Sequence, residues 1–222
     1  MSTQINQLPF RREIRWIALS AAIVLGLAAY MVLTRPQPPQ DIDAYRGTKL
    51  NTVSPDFRLE DHSGNSLALS ELRGKVVVLA FFDSKCVDVC PMVSIYLREV
   101  DRTLGRDAEQ VAFVAVNVNA RANSVDDVAT ATEQWRLGEL TNWHFLTGSP
   151  AELEPVWADY YIFADPTPGR QLVHTDGLFL IDRQGRQRWY ISTPLVPYGQ
   201  GELPPGTANI AEMLVSRIRE LL

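Results

Sequence analysis

The two cysteines of the chain, Cys86 and Cys90, lie four residues apart. They follow a run of seven apolar residues, 76–82, that predicts a buried strand, and Pro91 opens an apolar-periodic segment that predicts a helix. Residues four apart share one face of a helix, so the thiols can converge if the segment between them is partly helical. The neighbouring helix N-terminus favours the thiolate form. Such a pair suits redox exchange, or a metal ion that accepts soft thiolate ligands, such as Cu(I) or Zn(II).

Two thiolates rarely complete a metal site, so a third ligand is expected elsewhere. The sequence offers three histidines. His62 lies at the tip of a predicted hairpin and is expected to be exposed without a role. His144 lies in a short apolar strand and is expected to have a structural or surface role. His174 directly precedes the third core strand, and groups beyond the strand ends of an open α/β sheet converge on one crevice. By position alone, His174 is as consistent with a ligand as with an incidental histidine.

The N-terminal region predicts a membrane anchor. Residues 16–34 carry no charge, and at about 1.5 Å per residue a helix of this length crosses the hydrocarbon core. Three arginines lie within residues 1–15, so the positive-inside rule places that stretch in the cytoplasm and the rest of the chain outside. A cleaved signal peptide is the alternative, but its apolar region would be long and no small-x-small cleavage site follows it cleanly. We expect a single-pass protein of the cell membrane with an extracytoplasmic C-terminal domain.

This compartment affects how the cysteines are interpreted. Thiols outside the cytoplasm tend to be oxidised, so Cys86 and Cys90 could form a structural disulfide. A bridge across four residues closes a very small loop, however, and the stabilisation from a disulfide grows with loop length. A redox or metal role is therefore favoured. The net charge of −5 and the absence of a basic patch in the sequence exclude nucleic acid as the expected partner.

The order of apolar segments predicts an α/β fold. Residues 35–52 form a proline-rich linker with a loosely ordered lead-in, and residues 53–222 form the folded domain. An early hairpin is followed by alternating strands and helices, then by a closing hairpin and a last helix. Near-continuous apolar runs are typical of a sheet covered on both faces, and the closing hairpin is antiparallel. We predict a mixed sheet with helices on both faces, its main strands at 76–82, 111–118, 143–146, 177–182 and 187–191.

The segment FFDSKCVDVCP, with VHTDGLFLIDRQG far downstream, resembles the SCO/SenC family of membrane-anchored, thioredoxin-like proteins. That family has a Cys-Pro-Asp-Val-Cys-Pro segment after a core strand and a distal histidine before a Leu-Ile-Asp-x-x-Gly hairpin. The resemblance covers residues 53–191 in element order. It implies a thioredoxin-like fold and a copper ion held by Cys86, Cys90 and His174.

The resemblance also implies a function and a partner. It implies a membrane-anchored copper metallochaperone for the binuclear copper centre in subunit II of cytochrome c oxidase, or for another extracytoplasmic copper protein. Asp88 matches the acidic residue between the cysteines, and Val87 replaces a proline without removing a ligand. Lys85 beside Cys86 would favour a thiolate. The Asp-Pro segment that commonly follows the second core strand is replaced here by residues 117–119, Asn-Val-Asn.

Other functions compete with this interpretation. A thiol–disulfide oxidoreductase would cycle the same cysteines, with Cys86 as the expected attacking thiol. Ordinary thioredoxin-type enzymes use Cys-x-x-Cys and a proline near the position of Thr175, and this sequence has neither. A peroxiredoxin-like peroxidase or redox sensor needs a lone reactive cysteine with a nearby Thr and Arg, which the loop does not offer. An anchored domain with an incidental thiol pair is the remaining alternative. We expect a binding protein that turns over no substrate.

Overall fold

The computed structural model describes residues 47–165, 172–192 and 210–222, together with six helical residues of the N-terminal segment, 21, 23–26 and 30. The chain divides into two compact units, Met1–Gln40 and Asp41–Leu222. Most of the predicted anchor, residues 16–34, and most of the predicted linker, residues 35–52, lie outside the described residues. Among the residues that are described, no helix is long and apolar enough to cross a membrane. The anchor stays a prediction.

The second unit is built on one eight-stranded sheet and a separate two-stranded ribbon. Ten strands are described in it: β1 (Thr48–Val53), β2 (Arg58–Asp61), β3 (Ser66–Ala68), β4 (Val76–Phe82), β5 (Val111–Asn117), β6 (Trp143–Thr147), β7 (Ala164–Asp165), β8 (Val173–His174), β9 (Leu178–Ile181) and β10 (Arg186–Ile191). The described helices of this unit are α1 (Val89–Leu104), α2 (Val125–Gln134), α3 (Pro150–Asp159) and α4 (Ile210–Arg219). The sheet order is β1-β10-β9-β4-β5-β6-β2-β3, and β7 pairs with β8 in the ribbon.

Strands β4 and β5 form the centre of the sheet. They run parallel, and every residue of both strands is buried. Strand β9 lies on the other side of β4 and runs antiparallel to it, so the sheet is mixed as predicted. One face of the sheet packs against α1, α2 and α4, and the other face packs against α3. Helices on both faces explain why the central strands consist of continuous apolar runs.

Helix starts follow capping chemistry that the sequence carries. Ser124 accepts a hydrogen bond from the Asp127 N–H, and Ser149 and Glu152 form a capping box at the start of α3, as predicted. Helix α1 differs from its prediction because it begins at Val89, two residues before Pro91. A proline is tolerated there because the N–H groups of the first turn have no partner within the helix.

Strand β1 is a correction to the predicted linker. Residues 48–52, expected to be a loosely ordered lead-in, belong to β1, which pairs antiparallel with β10 at the edge of the sheet. Most of its side chains are exposed, so the sequence carries no alternation of apolar and polar residues at this point. The strand is held by backbone hydrogen bonds, which do not require particular residue types.

A pair of valine truncations tests how strongly the central strands support the domain. Val78 in β4 is 1% exposed, whereas Val53 in β1 is 65% exposed. We expect Val78→Ala to lower the free energy of unfolding by about 2 kcal/mol, because two buried methyl groups are lost and a cavity remains. The matched control Val53→Ala is expected to change it by no more than about 0.5 kcal/mol. Urea unfolding followed by tryptophan fluorescence measures both, and equal losses would contradict the assigned core.

Candidate metal centre

The two cysteines converge at the start of α1. The chain leaves β4 in a tight turn in which the Asp83 carbonyl accepts the Cys86 N–H at 2.9 Å and the Asp83 carboxylate accepts the Lys85 N–H at 2.9 Å. Cys90 lies in the first turn of α1, and its backbone N–H donates to the Cys86 sulfur at 3.3 Å. Both cysteines are free thiols. The convergence predicted from their spacing is therefore present.

The two thiols have different surroundings. Cys86 is half-buried, and its pKa is lowered chiefly by the neighbouring Cys90 thiol and further by the Cys90 backbone N–H. Burial opposes this shift, as does the Asp88 carboxylate, which accepts a hydrogen bond from the Cys86 thiol at 3.2 Å. Cys90 is 1% exposed. Its pKa is raised well above the usual range, first by burial and then by the hydrogen bond to Cys86 and the charge there. The pair thus consists of an accessible sulfur that favours the thiolate and a buried one that keeps its proton.

A buried polar network supports the thiol turn. The Asn119 side chain donates to the Asp83 carboxylate at 2.7 Å, and the Asn117 side-chain oxygen accepts the Ser84 N–H at 3.3 Å. The Ser84 hydroxyl donates to the Ala122 carbonyl at 2.6 Å. These side chains connect the ends of the parallel strands β4 and β5. This supporting role is not among the sequence predictions, although polar residues directly after two adjacent apolar strands are a visible signal.

Lys85 does not act on the thiols as the sequence suggested. Its ammonium lies 2.5 Å from a carboxylate oxygen of Asp127 in α2. This contact and the Ser124 hydroxyl lower the pKa of Asp127. The lowered pKa of Cys86 instead follows from the Cys90 thiol and from backbone N–H groups. The lysine therefore ties the thiol turn to α2.

His174 lies at the same end of the sheet as the thiol turn. Strand β4 is antiparallel to β9, with Ala80 opposite Leu178. The segment that precedes β9, which includes His174, therefore lies at the end of the sheet where β4 leads into the thiol turn. Within the described part of the chain, no three His, Cys, Asp or Glu side chains are grouped closely enough to hold a metal ion. The role of His174 as third ligand remains a prediction.

The ring of His174 is oriented by its own neighbour. Its Nδ1 atom lies 2.9 Å from the Thr175 carbonyl oxygen. A carbonyl can only accept, so in the neutral ring this contact assigns the hydrogen to Nδ1 and the lone pair to Nε2. Metal-binding histidines are commonly held in this way, with one ring nitrogen donating to a carbonyl. The donor chemistry of this imidazole and of the thiol pair fits a soft metal ion.

The other two histidines lie together, away from the thiol turn in the sheet order, at β2 and β6. His144 Nδ1 is 3.5 Å from the Asp61 carboxylate, which agrees with the expected structural role. The expectation for His62 was wrong. Its Nδ1 accepts the Phe145 N–H at 3.3 Å, and its pKa is lowered chiefly by burial. Both side chains help to join the β2–β3 hairpin to β6.

A mixed sheet, helices on both faces and a thiol pair between a central strand and the following helix define a thioredoxin-like protein. The fold is similar to the thioredoxin domain of a thiol–disulfide oxidoreductase from Bacteroides vulgatus. The TM-score is 0.51 at 18% sequence identity, over 76% of this chain and 99% of that one. The predicted fold class is confirmed for the described domain.

Within this class, the chain belongs to the SCO1/SenC family, whose sequence profile matches residues 46–195. The copper-bound structure of ScoI from Bradyrhizobium japonicum is similar, with a TM-score of 0.60 and 24% identity over 77% of this chain and 100% of that one. BsSco, a member of the Sco family of cytochrome c oxidase assembly proteins in which a disulfide switch was identified, has a TM-score of 0.62 and 18% identity over 79% and 96% of the two chains. The resemblance inferred from the motifs is thus confirmed.

Alkylation tests the asymmetry of the thiol pair. We expect iodoacetamide to modify Cys86 before Cys90, with a rate profile centred below the pH of an ordinary cysteine, because the thiolate is the reacting form and the pKa of Cys86 is lowered. Cys90→Ala removes the thiol donor and should move the profile to higher pH. Cys90→Ser keeps a donor and serves as the matched control. Mass spectrometry after timed quenching measures both rates, and faster modification of Cys90 would contradict the assigned roles.

Proposed function

We propose that this protein is a membrane-anchored copper metallochaperone that serves the assembly of the binuclear copper centre in subunit II of cytochrome c oxidase. The observation that carries the proposal is the contact between the Cys86 sulfur and the first turn of α1, which places a second, buried thiol beside it. Thiolates are soft donors that prefer Cu(I). Membership of the SCO1/SenC family supports the choice of copper over zinc.

The donors have distinct roles in this proposal. Cys86 supplies a thiolate that is already favoured, and Cys90 must lose its proton when copper binds. His174 supplies Nε2, because its Nδ1 hydrogen is directed to the Thr175 carbonyl. Copper is the cargo, so its site must release it as well as bind it. A half-exposed sulfur gives a partner's ligand a point at which exchange can begin.

The proposed location follows from the N-terminal sequence. Residues 16–34 would anchor the chain in the cell membrane, and the proline-rich stretch after them would hold the folded domain on the extracytoplasmic side. An acceptor whose copper centre lies outside the membrane would meet the thiol pair there. Subunit II of cytochrome c oxidase is the proposed acceptor, or another extracytoplasmic copper protein.

The asymmetry of the cysteines favours a second candidate function, the reduction of a partner's disulfide. The Cys86 thiolate would attack one sulfur of that disulfide and release the other as a thiolate. Cys90, after losing its proton, would then attack Cys86. The partner would leave as a dithiol, and an intramolecular Cys86–Cys90 disulfide would remain. The raised pKa of Cys90 would slow the second step.

Copper titration with single variants tests the ligand set. We expect one Cu(I) per chain in competition with a chromogenic chelator. Cys86→Ser should lose at least about a hundredfold in affinity and His174→Ala at least about tenfold, because each removes a donor atom. His144→Ala is the control, since His144 contacts Asp61 and is not part of the proposed site. Unchanged affinity in His174→Ala would remove this histidine from the ligand set.

Oxidase assembly in a deletion strain separates the two candidate functions. If the protein delivers copper, added copper should restore oxidase activity and a thiol reductant alone should not. Rescue by reductant alone would instead support the reduction of the partner's cysteines. The same strain carrying the Cys86→Ser variant should behave as the deletion does, and normal activity of that variant would contradict both functions.

A further inference from the structure

Tyr190 reaches from β10 to the segment that links His174 to β9. Its hydroxyl donates to the Asp176 carbonyl oxygen at 2.6 Å. Its ring packs on Phe179, with ring centroids 5.0 Å apart. Burial raises the pKa of Tyr190, so the phenol keeps the proton that it donates. The side chain therefore joins the second strand of the closing hairpin to the backbone just after the histidine.

Gly177 lets the Tyr190 ring approach this closely. Its φ is +147°, a region that favours glycine. A Cβ atom at this position would lie 2.5 Å from the Tyr190 hydroxyl oxygen and 2.6 Å from two carbons of the ring. The Tyr190 ring thus lies directly against the Gly177 backbone. This contact fixes the path of the backbone between His174 and β9.

The other side of the same segment is also held. The Thr175 N–H donates to the Phe163 carbonyl at 2.8 Å, and the Phe163 N–H donates to the Thr175 hydroxyl at 3.0 Å. Ala164 pairs with His174 in the ribbon of β7 and β8. The Thr175 carbonyl accepts the Nδ1 hydrogen of His174. Thr175 is therefore held on one side by the ribbon and on the other by the hydrogen bond from Tyr190 to Asp176.

We propose that Tyr190 is a positioning residue for His174: by holding the Asp176 carbonyl it fixes the neighbouring Thr175 carbonyl as the acceptor for Nδ1, and so keeps Nε2 available as a copper donor. This inference rests on the proposed copper function. The hydroxyl is the critical group, because packing on Phe179 needs only the ring. Partners that orient a metal-binding histidine typically contribute about 10- to 100-fold to metal affinity.

A double-mutant cycle with Cu(I) and a chromogenic chelator tests this role. We expect Tyr190→Phe to weaken Cu(I) binding about tenfold in the wild-type background and to change it less than about twofold in the His174→Ala background, because residues that act through one another are not additive. Tyr160→Phe is the matched control. The Tyr160 hydroxyl also makes hydrogen bonds, a buried one with Ser54 and a partly buried one to the Pro55 carbonyl, so its loss should lower stability without changing copper affinity.

A measurement without copper tests the orientation itself. Long-range proton–nitrogen NMR spectra of the neutral imidazoles should show His174 with the hydrogen on Nδ1 in the wild-type protein and a mixture of tautomers in Tyr190→Phe. An equal loss of affinity in both histidine backgrounds, or an unchanged tautomer, would overturn the role of Tyr190. If His174→Ala alone leaves Cu(I) affinity unchanged, the proposed ligand set fails instead, and the tautomer still reports on Tyr190.

Discussion

The hydrogen bond from the Cys90 N–H to the Cys86 sulfur is the contact on which the candidate site depends. It holds Cys90 beside the Cys86 sulfur and, together with the Cys90 thiol, which has the larger effect, it lowers the pKa of Cys86. The Cys90 N–H is available because the N–H groups of the first turn of α1 have no partner within the helix. The Val89 N–H donates to the Asp88 carboxylate, and Pro91 has no N–H to give. Because α1 begins before Pro91, the Cys90 N–H lies in its first turn and can donate to the Cys86 sulfur.

The same arrangement separates the chemical roles of the two cysteines. Cys90 points into the core and is almost fully buried, so its ionised form is costly unless an ion compensates for it. Cys86 lies half-buried at the start of the helix, where its ionised form is stabilised. A metal ion can offset the cost of ionising Cys90 by coordinating its sulfur. In disulfide exchange, by contrast, Cys90 must lose its proton before it can attack. The raised pKa of Cys90 therefore slows the second step of disulfide exchange and makes metal binding at this thiol dependent on pH.

The sequence predicts the parts of this molecule that depend on burial and capping. The bounds of β4 match because all seven of its residues are apolar, and α2 and α3 begin directly after the serines that cap them. Strand β1 was not predicted because most of its side chains face solvent. The contact of His62 was not predicted because its partner is a backbone N–H distant in sequence. The hydrogen bond of Asp83 with Asn119 depends on two strands becoming neighbours, which residue types alone do not specify.

The position of His174 at the same end of the sheet as the thiol turn depends on the direction and register of β9. A parallel β9 would carry the preceding segment to the opposite end of the sheet. With the antiparallel pairing observed, a slip of two residues along β4 would still move that segment by about 6.6 Å, at about 3.3 Å per residue. Such a slip is opposed because all four side chains of Leu178–Ile181 are buried, and it would move them away from the close-packed positions that they fill. The burial of the β9 side chains, none of which is a predicted ligand, thus determines where His174, the predicted third ligand, lies.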